Sequence, residues 1–183
     1  MMKLHVLYDY KGIYPAQSGK ALTDALIRRC LRREDAVIYR TEQGKPYVRI
    51  SGEEDCARLY ISVSHSGNTF ALVEADKEVG LDIQYERNIS TNRIAERFFT
   101  EDEATYINET DAADRFYQLW TRKEAFSKYT GAGIEQVVKK EPVLGRKDVS
   151  FTDLQLEDGC FCSVCTGTKE GDQTDEIQIS YGK

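Results

Sequence analysis

Hydrophobic and polar residues alternate in several short stretches of this chain, and a two-residue period predicts β-strands. Strands are expected at residues 3–8, 59–64, 69–74, 79–84 and 177–181. In the stretch 79–84, the apolar side chains face a predicted core, while the opposite face presents Gly80, Asp82 and Gln84. The pattern therefore places a carboxylate beside a glycine, where another element can approach closely.

Helices are predicted where apolar residues recur with a period near 3.6. One begins after Ser18 and Gly19 and reaches about Arg33. Another begins at Thr100, which has capping-box spacing to Glu103. The last runs from about residue 111 to 129, where Gly131 is placed to end it. Strands mixed with helices, without an internal repeat, indicate the α+β class.

Composition narrows the function. The net charge of −6 argues against a nucleic-acid partner. The N-terminus lacks the apolar run of a signal peptide, and no stretch reaches membrane-spanning length, so a cytoplasmic protein without a membrane partner is expected. Residues 20–49 carry eight basic residues against four acids. That local excess suits an acidic protein partner or an anionic ligand, or it forms an ordinary exposed helix face.

The five cysteines are predicted to be structural. Three of them, Cys160, Cys162 and Cys165, follow Asp158 and Gly159, which predict the turn of a β-hairpin. A zinc site is disfavoured because no fourth ligand stands at a suitable spacing. The odd number in a cytosolic chain also argues against a disulfide framework. Buried strand cysteines are therefore expected.

Residues 120–128 place unusual charge at the edge of an apolar helix face. Trp120 helps to form that face, Lys123 projects from inside it, and Glu124 and Lys128 lie along its rim. Charges in this position suit a bound phosphate and a metal ion. Glu124 and Lys128 also have the spacing of a simple helix ion pair, which is worth about 0.3–0.5 kcal/mol.

His65 follows a predicted strand within the sequence Ser64-His65-Ser66-Gly67. A tight turn of small residues can offer backbone N–H groups, hydroxyls and an imidazole to an anion. A loop histidine bonded to its own turn is the alternative. The second histidine, His5, is assigned no role.

Four segments together resemble the signature segments of the 4′-phosphopantetheinyl transferases, in order and in spacing. More narrowly, the chain is similar to the monomeric surfactin-synthetase-activating type. The matched region covers about residues 44–133, roughly half of the chain. The segments are 62–67, 79–83, 97–100 and 120–128.

The resemblance implies transfer of the phosphopantetheine arm of coenzyme A to a serine of an apo acyl or peptidyl carrier protein. Adenosine 3′,5′-bisphosphate would be released. It implies that Asp82 and Glu124 bind Mg²⁺, with Mn²⁺ as an alternative. Glu124 would act as the general base or orient it, and Lys128 would neutralise the pyrophosphate. The implied coenzyme A contacts are those of His65, Lys45, Lys123, Ser64 and Lys20.

One position departs from the family pattern. The surfactin-type sequence continues Gly-x-Asp-x-Glu, whereas this chain has Gln84 at the last position. A neutral amide oxygen removes one negative charge from the implied metal site and is expected to lower its affinity. Gln84 would bind the metal directly or through a water molecule, and Glu86 could compensate for the lost charge.

The implied fold has two similar α+β lobes, residues 1–76 and 77–183, related by a pseudo-twofold. The active site would lie in the cleft between them. The N-terminal lobe would hold the 3′-phosphate end of coenzyme A, and the C-terminal lobe the metal and catalytic residues. A monomer is expected. Two alternatives are a degenerate homologue that only binds coenzyme A or a carrier, and a metal-dependent phosphoesterase.

Overall fold

The computed structural model describes residues 1–50, 59–109, 112–168 and 176–182, so Cys56 lies outside the described residues. The strands are β1 Met2–Leu7, β2 Ala36–Arg40, β3 Pro46–Ile50, β4 Leu59–Ser66, β5 Thr69–Ala75, β6 Val79–Gln84, β7 Val149–Gln155, β8 Phe161–Gly167 and β9 Ile177–Gly182. The helices are α1 Tyr10–Ile13, α2 Gly19–Leu31, α3 Thr91–Phe98, α4 Glu101–Glu109, α5 Ala112–Thr130 and α6 Ile134–Lys140. The α+β class is confirmed.

The strands form two sheets. The larger has the order β2-β3-β4-β5-β1-β9, antiparallel except for the parallel pair β1 and β9. The smaller is antiparallel, with the order β6-β8-β7. The expected boundary after residue 76 separates β1–β5 from β6–β8, but β9 returns from the second segment to the larger sheet. The pseudo-twofold stays a prediction.

Three apolar clusters hold the sheets and helices in layers. α2 packs on one face of the larger sheet through Leu26 and Ile27. The other face of that sheet packs on the smaller sheet, where Leu81 and Ile83 lie among buried side chains of β1 and β5. α5 covers the outer face of the smaller sheet. The smaller sheet is therefore buried between the larger sheet and α5.

A ladder of serine hydroxyls joins β4 of the larger sheet to β6 of the smaller one. Each hydroxyl oxygen accepts a hydrogen bond from a backbone N–H of the chain segment 81–85. The pairs are Ser62 with Leu81 at 2.9 Å, Ser64 with Ile83 at 3.3 Å and Ser66 with Tyr85 at 3.1 Å. Because buried N–H groups need partners, this serine ladder allows the edge of β6 to be buried against β4.

Gly80 allows the backbone of α5 to lie directly on β6. A Cβ atom at this position would stand 1.9 Å from the carbonyl oxygen of Ala125 and 2.6 Å from the nitrogen of Tyr129. The close approach predicted from the glycine beside Asp82 is therefore made by a helix of the same chain.

The structure changes the predicted surroundings of His65. β4 continues through Ser66, so His65 belongs to a strand, and the turn consists of Gly67 and Asn68. Gly67 takes a φ of +57°, which glycine adopts at little cost. The placement of His65 in that turn is therefore wrong, because His65 lies at the end of β4, while a role for His65 in binding an anion stays a prediction.

Four elements were not predicted: α1, β2, α3 and α6. The expected capping box at α4 is present, because Glu103 accepts from the Thr100 N–H and its own N–H donates to the Thr100 hydroxyl. Cys162 and Cys165 are buried within β8, as expected, and Cys160 is buried immediately before that strand. Within the described ranges, no helix is both long and apolar enough to cross a membrane.

We expect Gly80→Ala to destabilise the protein by about 3 kcal/mol or more, because backbone atoms of α5 cannot yield to the new methyl group. Urea unfolding gives the free energy. Gly12→Ala is the matched control, since its Cβ would meet only the Asp9 side chain, at 3.2 Å. Equal stability of the two variants would contradict the close contact of α5 with β6.

Candidate active site

Three elements bring the main candidate residues to one cleft of about 380 Å³. β6 supplies Asp82 and Gln84, β4 supplies Ser64 and His65, and α5 supplies Trp120, Glu124 and Lys128. The serine ladder and the Gly80 contact set this geometry, because they fix β4 and α5 on opposite sides of β6. The cleft therefore gathers most of the residues implied by the sequence.

Asp82 is buried at the base of the cleft, with 6 % of its surface exposed. Its Oδ1 accepts a hydrogen bond of 2.7 Å from the Ser64 hydroxyl. The same oxygen lies 2.8 Å from Nζ of Lys128, which forms an ion pair with it. The hydroxyl and the ammonium thus give this buried carboxylate the partners that a buried charged group needs.

Glu124 is the most strongly perturbed carboxylate of the cleft. Its pKa is raised to about 7, mainly by burial and also by the charge of Asp82, while Lys128 opposes the rise. At neutral pH the group is therefore divided between its protonated and ionised forms. A carboxyl in this range can take up a proton from a substrate hydroxyl.

His65 stands at the rim of the cleft, among positive charges. Desolvation of its ring lowers its pKa, and Lys128 and Lys11 lower it further. The imidazole is therefore largely neutral at neutral pH. Lys11 lies on α1 and donates to the Gly67 carbonyl at 2.8 Å. The four residues of α1 show no helical period in the sequence, so the sequence did not indicate that Lys11 lies near His65.

Lys45 lies in a neighbouring hollow of about 350 Å³, which shares Val63 and Lys128 with the first cleft. Its ammonium is 2.5 Å from a carboxylate oxygen of Glu78 and donates to the Tyr129 carbonyl at 2.9 Å. An ammonium has three N–H donors, so these bonds use two of them. The two hollows together form an elongated groove with cations along its length.

Lys123 is not brought to this group. Its side chain is fully buried, and its ammonium lies 2.9 Å from Glu103, which is also fully buried. The carbonyl oxygens of Val138 and Glu141 accept from the same ammonium. The pair joins α4, α5 and the segment after α6. We therefore remove Lys123 from the candidate coenzyme A contacts and assign it to this buried ion pair.

The remaining candidates lie at the edges of the cleft. Lys20 is exposed on the first turn of α2, three residues before Thr23, which lines the cleft. The amide nitrogen of Gln84 donates to the Tyr85 carbonyl at 3.0 Å, so its amide oxygen is the atom suited to a cation. β6 ends at Gln84 and Glu86 is exposed beyond it, so Glu86 is not included in the site.

Asp82, Glu124 and Gln84 could supply part of a divalent-ion site. Among the described residues, no group of three or more His, Cys, Asp or Glu side chains is placed to hold a metal alone. Mg²⁺ often takes only one or two protein carboxylates when substrate phosphates and waters complete its shell. The paired carboxylates and the raised pKa of Glu124 fit such a partial site, because a cation would relieve their repulsion.

A larger hollow lies elsewhere in the described part of the chain. It measures about 560 Å³, lies between α3 and α4, and is lined by Glu96, Glu101 and Glu109 among others. A lining with three glutamates, of which Glu109 is already paired with Arg115, does not favour a phosphate ligand. The smaller cleft therefore carries the chemistry, because it combines a buried and a partly buried carboxylate with a lysine and a histidine.

Comparison with known families gives an independent result. The model of the 4′-phosphopantetheinyl transferase superfamily matches residues 78–173, which include β6, α5 and β8. Asp82, Glu124 and Lys128 all lie inside the matched region. The match therefore covers more than half of the chain and the C-terminal part of the cleft.

Curated relatives carry the same name. The chain is 36 % identical over 129 residues to 4′-phosphopantetheinyl transferase psf-1 of Bacillus pumilus, covering 68 % of this chain and 48 % of that protein. It is 35 % identical over 150 residues to 4′-phosphopantetheinyl transferase AcpT of Salmonella typhimurium, covering 78 % and 73 %. For 4′-phosphopantetheinyl transferase Sfp of Bacillus subtilis, identity is 30 % over 122 residues, covering 62 % and 52 %. The chain thus spans about half the length of the Bacillus relatives.

We expect Glu124→Gln to change how stability depends on pH in the absence of divalent ions. The pKa of Glu124 is raised in the folded state, so folding favours the protonated form. That contribution is complete below about pH 4.5 and is lost as the pH rises through about 7. The variant should therefore gain on the wild type by up to roughly 3 kcal/mol between pH 4.5 and 8.

Urea unfolding in EDTA at several pH values measures this difference. The control for a general effect of charge is Gln136→Glu, which adds an exposed carboxylate on α6. Gln118→Glu is unsuitable because the Gln118 side chain contacts Asp153. Stability curves of the wild type and Glu124→Gln that run parallel over this range would show that Glu124 is not held at a raised pKa.

Proposed function

The chain belongs to the 4′-phosphopantetheinyl transferase superfamily, and on this basis we propose that it transfers phosphopantetheine from coenzyme A to a serine of an apo carrier protein. The observation that carries the proposal is the convergence of Asp82, Glu124 and Lys128 in one cleft. Two carboxylates and an ammonium beside a cation-lined groove suit phosphoryl transfer, where catalysis consists mainly of positioning and charge neutralisation.

The proposed step is an in-line displacement at phosphorus. The carrier serine oxygen forms a bond to the β-phosphorus of coenzyme A, and its proton passes to the Glu124 carboxylate directly or through a water that Glu124 orients. The bond from the β-phosphorus to the bridging oxygen breaks. That oxygen keeps the electron pair and leaves with adenosine 3′,5′-bisphosphate. Lys128 neutralises charge on the pyrophosphate oxygens and, through its ion pair with Asp82, stays fixed at the cleft.

Asp82, Glu124 and the amide oxygen of Gln84 would hold Mg²⁺, or Mn²⁺ with the same ligands. Bound there, the ion would supply Lewis-acid charge that offsets the charge developing on the pyrophosphate. Both bonds from Ser64 and Lys128 fall on Oδ1 of Asp82, so its other oxygen would be available to a cation. Ser64 therefore acts by orienting Asp82, in addition to its place in the serine ladder.

The 3′-phosphate end of coenzyme A would lie along the groove towards His65, Lys45 and Lys20. The support is their position on the larger sheet and α2, away from the carboxylates. A neutral His65 can donate one N–H to a phosphate oxygen, and Lys45 has a third donor beyond its bonds to Glu78 and Tyr129. Lys11 stands close enough to His65 to influence its pKa and is added to this group.

The basic excess of residues 20–49 is partly neutralised within the chain. Arg33 is paired with Asp35, Arg40 with Asp24, and Arg28 donates to the Ala36 carbonyl. Because these basic side chains have partners within the chain, their excess in the sequence is only a weak argument for docking an acidic carrier. The carrier itself remains part of the proposal because the reaction requires its serine.

We also propose the monomeric surfactin-synthetase-activating type, on the signature of a Gly-x-Asp strand followed by the Trp-x-x-Lys-Glu-Ala helix. Of the two rival functions, the degenerate binding homologue is favoured by Gln84, which weakens the metal site. The phosphoesterase is disfavoured because two-metal hydrolases need more histidine and carboxylate ligands than this cleft supplies.

The decisive experiment is intact-protein mass spectrometry with coenzyme A, Mg²⁺ and a panel of apo carriers from fatty-acid, polyketide and nonribosomal-peptide systems. We expect one carrier to gain the mass of one phosphopantetheine. Lys128→Met should reduce the rate by about 10²-fold or more, because a fixed charge on the pyrophosphate is lost. Lys147→Met, exposed and distant in sequence from the cleft residues, is the matched control.

The rival functions give distinct outcomes in the same experiment. Loss of coenzyme A without a modified carrier would indicate a phosphoesterase. Calorimetric binding of coenzyme A with no turnover on any carrier would indicate the degenerate homologue. An unchanged rate in Lys128→Met would contradict the proposed role of the ammonium.

Gln84→Glu should lower the Mg²⁺ concentration that gives half-maximal rate. A third carboxylate restores the negative charge that the amide lacks, and hard cations bind more tightly as ligand charge increases. A Mg²⁺ titration of the transfer rate measures the change, with Gln84→Ala as the comparison that removes the oxygen. If the wild type and Gln84→Glu need the same Mg²⁺ concentration, Gln84 does not lie in the metal site.

A further inference from the structure

A row of three polar side chains crosses the smaller sheet beneath α5. Asp82 of β6 is the register partner of Ser163 of β8, and Ser163 is the register partner of Asp153 of β7. Register partners on adjacent strands point to the same face and stand about 5 Å apart. The alternate residues of these strands, such as Leu81 and Val164, face the other sheet. One end of the row is the candidate metal ligand, and the rest has no role in the mechanism above.

α5 is bound to the far end of this row by an ion pair. Nε of Arg122 lies 3.1 and 3.0 Å from the two carboxylate oxygens of Asp153. The amide nitrogen of Gln118 donates to the same carboxylate at 2.9 Å. A guanidinium that contacts both oxygens restrains direction as well as distance. Asp153 therefore fixes one turn of α5 over β7.

The middle of the row binds α5 through two fully buried hydroxyls. Those of Thr121 and Ser163 are 2.8 Å apart, and Ser163 donates to Asp153 at 2.8 Å. A hydroxyl has one hydrogen to donate, and the carboxylate can only accept. The Thr121 hydroxyl also lies 2.9 Å from the Tyr117 carbonyl and 3.0 Å from the Gln118 carbonyl, which can only accept. Its single hydrogen therefore has acceptors both in its own helix and at Ser163, and the short contact with Ser163 attaches this turn of α5 to the middle of the row.

Thr121 lies on the helix face that carries the candidate catalytic groups. Glu124 follows it by three residues and Lys128 by seven, which is the spacing of one stripe on a helix. At the lower end of this stripe Thr121 is bonded to the row through Ser163, and at the upper end Lys128 is bonded to Asp82. Glu124 lies between these two attachments. Rotation of α5 about its axis would break both bonds and move Glu124 relative to Asp82.

We propose that Thr121, Ser163 and Asp153 are positioning residues that set the rotation of α5 and hence the separation of the Glu124 and Asp82 carboxylates. The inference rests on the proposed function only in assigning those two carboxylates to the metal. Groups that orient metal ligands through hydrogen bonds typically change affinity or activity by about 10–100-fold when they are removed.

The test compares Thr121→Val with Thr121→Ser. Valine keeps the shape of threonine but lacks the hydroxyl, whereas serine keeps the hydroxyl. Mn²⁺ affinity is measured from the EPR signal of the free ion, with and without coenzyme A. The transfer assay then gives kcat and the KM for coenzyme A. Cys30→Ala, at a buried position of α2 on the far side of the larger sheet, controls for general destabilisation.

We expect Thr121→Val to weaken Mn²⁺ binding about tenfold and to lower kcat by a similar factor, while the KM for coenzyme A changes less than twofold. Thr121→Ser should restore both values, and Cys30→Ala should alter neither. A purely structural role would give Thr121→Val a lower melting temperature with unchanged Mn²⁺ affinity and kcat, and this result would overturn the proposal.

The outcomes also separate this inference from the proposed function. If the wild type binds Mn²⁺ but modifies no carrier, the transferase proposal fails and the Mn²⁺ affinities still decide the positioning role. If carriers are modified but Mn²⁺ binding is not detected, the change of kcat in Thr121→Val decides whether Thr121 is a positioning residue. If neither metal binding nor transfer occurs, the positioning role is overturned together with the metal site.

Discussion

The attachment of β6 on both sides is the constraint on which the rest of the structure depends. On its edge, the serine ladder satisfies alternate backbone N–H groups that would otherwise be buried without partners. On its face, Gly80 lets the backbone of α5 approach to a distance that no side chain would permit. Serine side chains, and not backbone carbonyls, accept these hydrogen bonds, so β4 and β6 are joined although they belong to two separate sheets. The cleft exists because this join leaves β4, β6 and α5 side by side.

The arrangement of β4, β6 and α5 also determines which charged groups are buried. Asp82 tolerates its position because Ser64 and Lys128 bind one of its oxygens, whereas Glu124 has no comparable hydrogen bond among the described residues and its pKa rises to about 7. The two carboxylates of the cleft thus have different surroundings. A carboxyl group with a pKa of about 7 suits chemistry in which a group exchanges a proton.

The sequence predicted the parts of the fold whose pattern is local. Alternation identified β6, and the capping box identified the start of α4, because both signals lie within a few residues. The hydrophobic pattern did not reveal α1 and α3, because helices of four and eight residues contain too few turns to show a period. It did not reveal β2 either, because the apolar residues of that strand are partly exposed at the edge of the sheet. It also placed His65 in a turn, because small polar residues predict turns, whereas Ser62, Ser64 and Ser66 are strand residues that pair with another strand. Their two-residue spacing was the available signal.

Lys123 and Lys128 show why site residues cannot be assigned from a helix face alone. Both lie near the same apolar arc of α5, and both have a carboxylate partner. Lys123 meets Glu103 where no surface is exposed, and two carbonyl oxygens complete its bonds. Lys128 meets Asp82 at the rim, with 31 % of its side chain exposed. Only the second ammonium has exposed surface with which it can contact a phosphate while it stays paired with its carboxylate. Burial, set by α4 and by the chain around the end of α6, therefore separates a structural ion pair from a functional one. The contacts that bury Lys123, with Glu103, Val138 and Glu141, span 15 to 20 residues of sequence.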